Sequence, residues 1–172
     1  MEIRFLTPDD AAEWLRLRIE ALKIAPEAFS ASLEEYQSLS LEEVKSRLWS
    51  DGDAFVVGAF QDNRLVGMAG FRREKGRKCR HKGRVWGVYV TPESRGAGTG
   101  RKMMQGLLDR GSAINGVEQV LLSVAATQEP AIRLYRSLGF ESFGREPRGL
   151  RIGDRYIDED YMILRGKKPQ GG

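Results

Sequence analysis

From Val88 to Arg101 the chain reads Val-Tyr-Val-Thr-Pro-Glu-Ser-Arg-Gly-Ala-Gly-Thr-Gly-Arg, and few local structures accommodate such a run. Trp86, Val88 and Val90 alternate with Gly87 and Tyr89, which is the period of a strand. Pro92 ends the strand, because it has no N–H to give to a ladder. Gly96, Gly98 and Gly100 then remove the side chains where the backbone enters a helix carrying Lys102, Met103, Met104, Leu107 and Leu108. A helix start has unpaired N–H groups and a partial positive charge. With glycines there, an anion can come within reach of several N–H groups at once. The stretch therefore predicts a phosphate or pyrophosphate cradle. A glycine connector with no ligand is the weaker reading, since three glycines destabilise the first turn without any compensating contact.

The spacing separates this cradle from other phosphate loops. A Walker loop requires Lys-Ser/Thr after its last glycine, and Gly100 is followed by Arg101-Lys102-Met103. A dinucleotide fingerprint requires glycine where this chain has Arg101. It also requires an acid ending the next strand, and Leu121-Leu122-Ser123-Val124-Ala125 has none.

The chain has 172 residues, enough for one domain with a core, expected over residues 1–165 with a flexible tail over residues 166–172. No apolar run approaches the ~20 residues of a membrane span, and Met1-Glu2-Ile3-Arg4-Phe5 lacks the plan of a signal peptide. Cys79 is the only cysteine and His81 the only histidine, so an internal disulfide is excluded, a structural metal site is not expected, and a cytoplasmic setting fits. The net charge of +4 suits a polyanionic ligand. The basic run over residues 72–84 reads as a solvated hairpin tip without interleaved aromatics, so no specific nucleic-acid partner is expected.

In order, the chain predicts a strand over Glu2 to Leu6 and a helix capped by Thr7, with Trp14, Leu15, Ile19 and Leu22 on one face, ending near Ile24 before Pro26. A second helix opens at Ser40 with a Ser40/Glu43 capping box and runs to about Trp49. A hairpin turns at Asp62-Asn63, the strand ending at Val90 leads into the glycine loop, and Val117 to Ala126 is a buried strand. A helix opens at Gln128-Glu129-Pro130 and stops at Gly139. Two last strands follow, the first broken at Pro147. The result is an α+β domain around a mixed sheet.

A second motif joins the first. Ala131-Ile132-Arg133-Leu134-Tyr135-Arg136-Ser137-Leu138-Gly139-Phe140, together with Arg-Gly-x-Gly-x-Gly after a Val-Tyr-Val strand, resembles the GNAT superfamily of acyl-CoA-dependent N-acetyltransferases. The resemblance implies a mostly antiparallel sheet with one splayed parallel pair, flanked by about four helices. It implies acetyl-CoA as cosubstrate, with backbone at Val88, Tyr89 and Val90 on the acyl carbonyl and pantetheine arm. Arg95, Gly96, Ala97, Gly98, Thr99, Gly100 and Arg101 would hold the pyrophosphate, and Tyr135 would lie near the thioester sulfur. Gln128 occupies a position where the family often has asparagine against pantetheine. A homodimer is open by the same resemblance.

The implied reaction is direct attack of a primary amine, on a small molecule or a peptide, within a ternary complex. The amine must lose a proton, an oxyanion must be stabilised by N–H at Tyr89 or Val90, and the thiolate must be protonated or solvated. Glu34 and Glu35, between the first two helices, are the candidate acids. Asp158, Glu159 and Asp160 on the last strand are further acids of the same kind, and solvated surface roles compete for all five. Tyr135 has a competing reading as a core tyrosine. Cys79 reads as a free thiol rather than a covalent nucleophile. A module that binds acyl-CoA without turnover is the alternative function.

Overall fold

The computed structural model describes residues 1–48 and 51–166. Two near-continuous apolar runs, β2 (Ala54–Gln61) and β3 (Arg64–Arg73), form its central hairpin. The turn between them needs two left-handed residues, and Asp62 (φ 50°) and Asn63 (φ 62°) are side chains that tolerate it. Around this pair stand β1 (Glu2–Phe5), β4 (Lys82–Val90), β5 (Gln119–Ala125), β6 (Glu141–Ile152) and β7 (Arg155–Arg165). The order is β1-β2-β3-β4-β5-β7-β6, and every neighbouring pair is antiparallel except β4 and β5. The expected mixed sheet with one parallel pair is therefore present.

Helices cover both faces. On one face α4 (Thr99–Ala113) and α5 (Glu129–Ser137) bury Met103, Met104, Leu107, Ile132 and Tyr135 against Val57, Phe71, Leu122 and Met162. On the other, α1 (Ala11–Ile24), α2 (Leu33–Gln37) and α3 (Leu41–Leu48) bury Trp14, Leu17, Tyr36 and Val44 against Leu65, Met68 and Tyr89. No helix among the described residues is long and apolar enough to cross a membrane.

Local expectations divide by how far they depend on distant contacts. The Ser40/Glu43 box caps α3 through Ser40 N to Glu43 Oε2 at 2.8 Å; the predicted end at Trp49 lies outside the described residues. Thr7 caps a single 3₁₀ turn, Pro8–Asp10, and α1 starts only at Ala11. The apolar face of α1 is rotated from the predicted one. It runs through Ala11, Trp14, Leu17, Arg18, Ala21 and Leu22, while Leu15 and Ile19 are only partly buried. Counting Arg18 as a surface residue concealed the stripe. Helix α2 is too short to display a period, and Ser32 and Glu35 form its capping box. Strand β6 breaks where Pro147 predicts, with a register shift between Glu146 and Leu150 and Arg148 at φ 57°. Gly166, expected to begin the tail, donates its N–H to the Glu118 carbonyl at 2.8 Å; the rest of that tail lies outside the described residues.

The basic run is tied down by acids. Asp53 meets Arg73 at 3.5 Å and Arg80 at 3.1 Å, and Glu74 meets Arg84 at 2.9 Å. Cys79 and His81 lie there, before the start of β4.

Candidate functional site

Strand β4 does not keep the two-residue period that its sequence suggests. Between β3 and β4 the register jumps from Gly70↔Trp86 to Met68↔Tyr89, so Gly87 and Val88 together oppose Ala69. Gly87 takes φ +64°, a left-handed value that suits glycine. The bulge changes which side chains share a face. Val85, Val88 and Val90 turn toward α4, whereas Trp86 and Tyr89 turn toward α1. Trp86 was expected beside Val88 and Val90; it lies on the opposite face, over Gly70.

The bulge also opens the sheet. Strands β4 and β5 pair only at Lys82↔Gln119, Gly83↔Val120 and Arg84↔Leu121, and beyond Arg84 they diverge. The resulting cleft has a volume of about 630 Å³. Backbone direction alternates along a strand. Thr91 N donates to Val66 O at 2.8 Å across β3, so the N–H and C=O of Val90 point the other way, into the cleft. Arg95 Nε reaches that Val90 carbonyl at 2.9 Å. By the same alternation the Tyr89 amide turns back toward β3, which leaves Val90 as the donor of the two. The Tyr89 side chain is on the far face, where its hydroxyl donates to Glu20 at 3.3 Å and burial pushes the phenol up to about 12.

At the end of the cleft the chain enters α4 one turn earlier than the sequence suggested. Gly98 is the N-cap at φ +77° and Gly96 takes φ +81°, and a β-carbon at either would meet nothing within 4 Å. Left-handed residues alternating with an ordinary one before a helix start curl the N–H groups into a concave anion site. Gly96, Gly98, Thr99, Gly100, Arg95 and Arg101 all border the cleft, and Ala97 does not. The Thr99 side chain is buried, its hydroxyl 3.2 Å from the Met1 sulfur, so only its backbone faces an anion. Arg101 Nη1 donates to Ser137 Oγ at 2.7 Å and ties α4 to α5. An open nest of N–H groups flanked by two arginines fits a pyrophosphate. Gln128 borders the same cleft and donates to Glu27 Oε1 at 3.2 Å. Tyr135 also borders it. Burial drives its phenol above the ordinary tyrosine range, and no side chain among the described residues hydrogen-bonds its hydroxyl.

A second groove, about 770 Å³, lies between Pro26–Glu34 and Gly149–Gly153. Here the five acids cease to be equivalent. Asp160 is held by Arg145 through contacts of 2.6 and 3.0 Å, a pairing that draws its carboxyl below the usual range. Asp158 accepts the Arg148 N–H at 2.9 Å. Glu35 accepts the Ser32 N–H at 2.8 Å as the cap of α2. Glu34 borders the groove. Glu159 lines neither cavity but contacts a lining residue of each: it hydrogen-bonds Ser123, which lines the cleft, and packs 3.1 Å from the β-carbon position of Gly149, which lines the groove. Burial pushes its carboxyl above the ordinary value, the Ser123 hydroxyl opposes this, and the nearby Glu146 adds to it. Nothing in the sequence singles out Glu159; the contacts that do so come from β5 and β6. Among the described residues no cluster of three metal-ligating side chains occurs.

Comparison with known proteins gives the same outline. The sequence pattern described as the acetyltransferase (GNAT) family matches residues 16–140. A mycothiol acetyltransferase from Thermobifida fusca is 33% identical over 168 residues, covering 86% of this chain and 47% of that protein. The chain thus spans less than half the length of that curated relative. A GNAT-family acetyltransferase from Streptococcus pneumoniae superposes with a TM-score of 0.86 at 21% identity, over 96% of this chain and 99% of that one. A putative acetyltransferase from Salmonella typhimurium, solved with its cofactor acetyl-CoA, does so at 0.81 and 22% identity, over 100% and 97%. These likenesses establish the shared fold.

Proposed function

The chain belongs to the acetyltransferase (GNAT) family, and from that premise we propose that it moves an acetyl group from acetyl-CoA to a primary amine of a small molecule or peptide. One observation carries the reading: the strand pair that splays at Arg84 opens onto a nest of N–H groups at the start of α4. Acetyl-CoA supplies the acetyl group as a thioester open to direct attack by the amine. The nest at Gly96–Gly100, with Arg95 and Arg101, holds the pyrophosphate. Backbone at Val88 and Val90 runs along the pantetheine arm, Tyr89 fixes the strand from behind, and Gln128 closes the side toward α5. The Val90 N–H is the donor for the developing oxyanion.

Glu159 takes the proton of the amine. Its raised pKa supports this, because a carboxyl kept from full ionisation holds a proton better than a solvated one. Glu34, on the groove wall, binds the ammonium form of the acceptor, and Glu35 holds α2 in place for it. Tyr135 remains protonated at neutral pH, so it assists the departing sulfur by hydrogen bonding rather than by full proton transfer. The proposed setting is the cytoplasm.

Release of free CoA thiol with a panel of amines tests the reading. Release should require both acetyl-CoA and an amine. Glu159→Gln should lower kcat by about 10²–10⁴-fold with acetyl-CoA affinity unchanged. The active form of Glu159 is the deprotonated one, so activity should fall as pH drops, along a limb lying above the ordinary carboxylate range. Tight acetyl-CoA binding with no amine-dependent release would instead make the protein an acyl-CoA-binding regulatory module.

A further inference from the structure

We propose that the acceptor carries a carboxylate beside its amine, as amino acids do, and that Arg18 supplies the charge that selects it. The proposal rests on the transferase reading above and names its substrate class.

Arg18 occupies a core position on α1, in the stripe of Trp14, Leu17, Ala21 and Leu22, and is only 4% exposed. The side chain hydrogen-bonds Tyr36, yet its Nε and Nη1 are buried with no hydrogen-bond partner among the described residues. The rings of Phe29 and Tyr36 lie 4.5 and 4.8 Å from its guanidinium carbon. Those faces offset part of the desolvation. They do not satisfy the N–H groups, and an unsatisfied buried donor on a charged group is costly. Burial pulls the guanidinium below its ordinary value, and Tyr36 and Glu35 only oppose the shift.

The position of this charge points to a ligand. A β-carbon at Gly87 would lie 3.3 Å from Arg18 Nη1, and Gly87 lines the cleft at the bulge. With no side chain there, one layer of backbone separates the guanidinium from the cleft. On the other side Phe29 covers Arg18 and lines the acceptor groove. The groove has the same sign: Lys23 and Arg151 face Glu34 alone among its charged lining residues. Asp158 and Asp160 add little, being engaged by the Arg148 N–H and the Arg145 side chain. A positive charge in a poorly solvated wall attracts an anion far more strongly than one in water. One such charge matches one carboxylate.

The test uses the intact protein with acetyl-CoA and a panel of amino acids and dipeptides, each paired with its carboxamide, plus amines that lack any acidic group. Acid and amide differ in amine pKa, so the decisive comparison is the acid-to-amide ratio of kcat/KM between proteins. The wild-type ratio should exceed that of Arg18→Met by 10-fold or more, and Arg18→Lys should keep part of the preference. Calorimetry of the best acid against the protein alone should show binding that Arg18→Met weakens. Arg18→Met replaces the charge with an unbranched apolar chain, so its thermal midpoint should hold or rise. A purely structural Arg18 predicts the reverse: the midpoint falls and the ratio is unchanged, which overturns the proposal. Turnover of simple amines with no preference for acids also overturns it while leaving the transferase reading intact. Failure of every amine removes that reading and the subsite with it.

Discussion

The two halves of the proposed site are built from different materials. The cofactor half is mostly backbone: N–H groups at Gly96–Gly100, the cleft-facing amide of Val90, and a strand pair that separates after three matched residues. The acceptor half is side chains drawn from four separate stretches: Arg18 on α1, Phe29 to Glu34, Gly149 to Gly153, and Glu159 on β7. Backbone geometry depends on a few neighbouring residues, and glycine marks where it is unusual. A cluster of side chains depends on which distant strands become neighbours. The first kind of site can hold one ligand through many sequence changes, while the second can be retuned one residue at a time. This contrast implies that single substitutions in the cofactor half act on affinity and those in the acceptor half act on turnover and selectivity.

In the cofactor half, the largest effect on affinity is expected at Gly98. Gly98→Asp sets a carboxylate and a β-carbon at a φ of +77° inside the nest. Losing a charge-assisted hydrogen bond costs about 1.5–3 kcal/mol, and like-charge repulsion adds to it, so CoA affinity should fall ~100-fold. Calorimetry on the folded variant reads this directly; unchanged affinity would break the comparison at its firmer end.

Tyr135 lies where the halves meet, and the expected effect there is intermediate. Tyr135→Phe keeps the ring and removes the hydroxyl, so kcat should drop by about 10–100-fold, the equivalent of a hydrogen bond to a charged group. CoA affinity and the thermal midpoint should stay where they are. If the midpoint falls and kcat is retained, Tyr135 is a core tyrosine and the meeting point needs another donor.

The smallest effects separate Glu34 from Glu35. Glu34→Gln should raise the acceptor KM a few-fold. Glu35→Gln retains a residue suited to a capping box, so its pH–rate profile should match wild type and its stability change should stay within ~0.5 kcal/mol. A collapse of kcat in Glu35→Gln would mean that the cap of α2 is not its main role.

Much of this architecture was legible in the order of residues. The nest could be read because Gly96, Gly98 and Gly100 are close in sequence and act through their own N–H groups. The capping box at Ser40/Glu43, the turn at Asp62-Asn63 and the break at Pro147 were legible for the same reason. Each is decided within a few residues by hydrogen bonds or by φ. Gly87 carried a signal as well, since glycine inside a strand marks a bulge. Its consequence, placing Trp86 opposite Val88, appears only once β3 is paired with β4.

The acceptor half was decided by the tertiary structure. In sequence, Glu34, Glu35, Asp158, Glu159 and Asp160 are five similar carboxylates. Packing gives Asp160 to Arg145, Asp158 to the Arg148 amide, Glu35 to the start of α2, and leaves Glu159 half-buried against Ser123. Arg18 shows the same dependence. Neither its place in the stripe of α1 nor the orphaning of its Nε and Nη1 was readable, because both depend on Phe29, Tyr36 and Gly87 meeting around it. Local conformation follows from the chain's own steric and hydrogen-bonding limits. The charge state and task of a side chain follow from what surrounds it, and only folding brings those surroundings together.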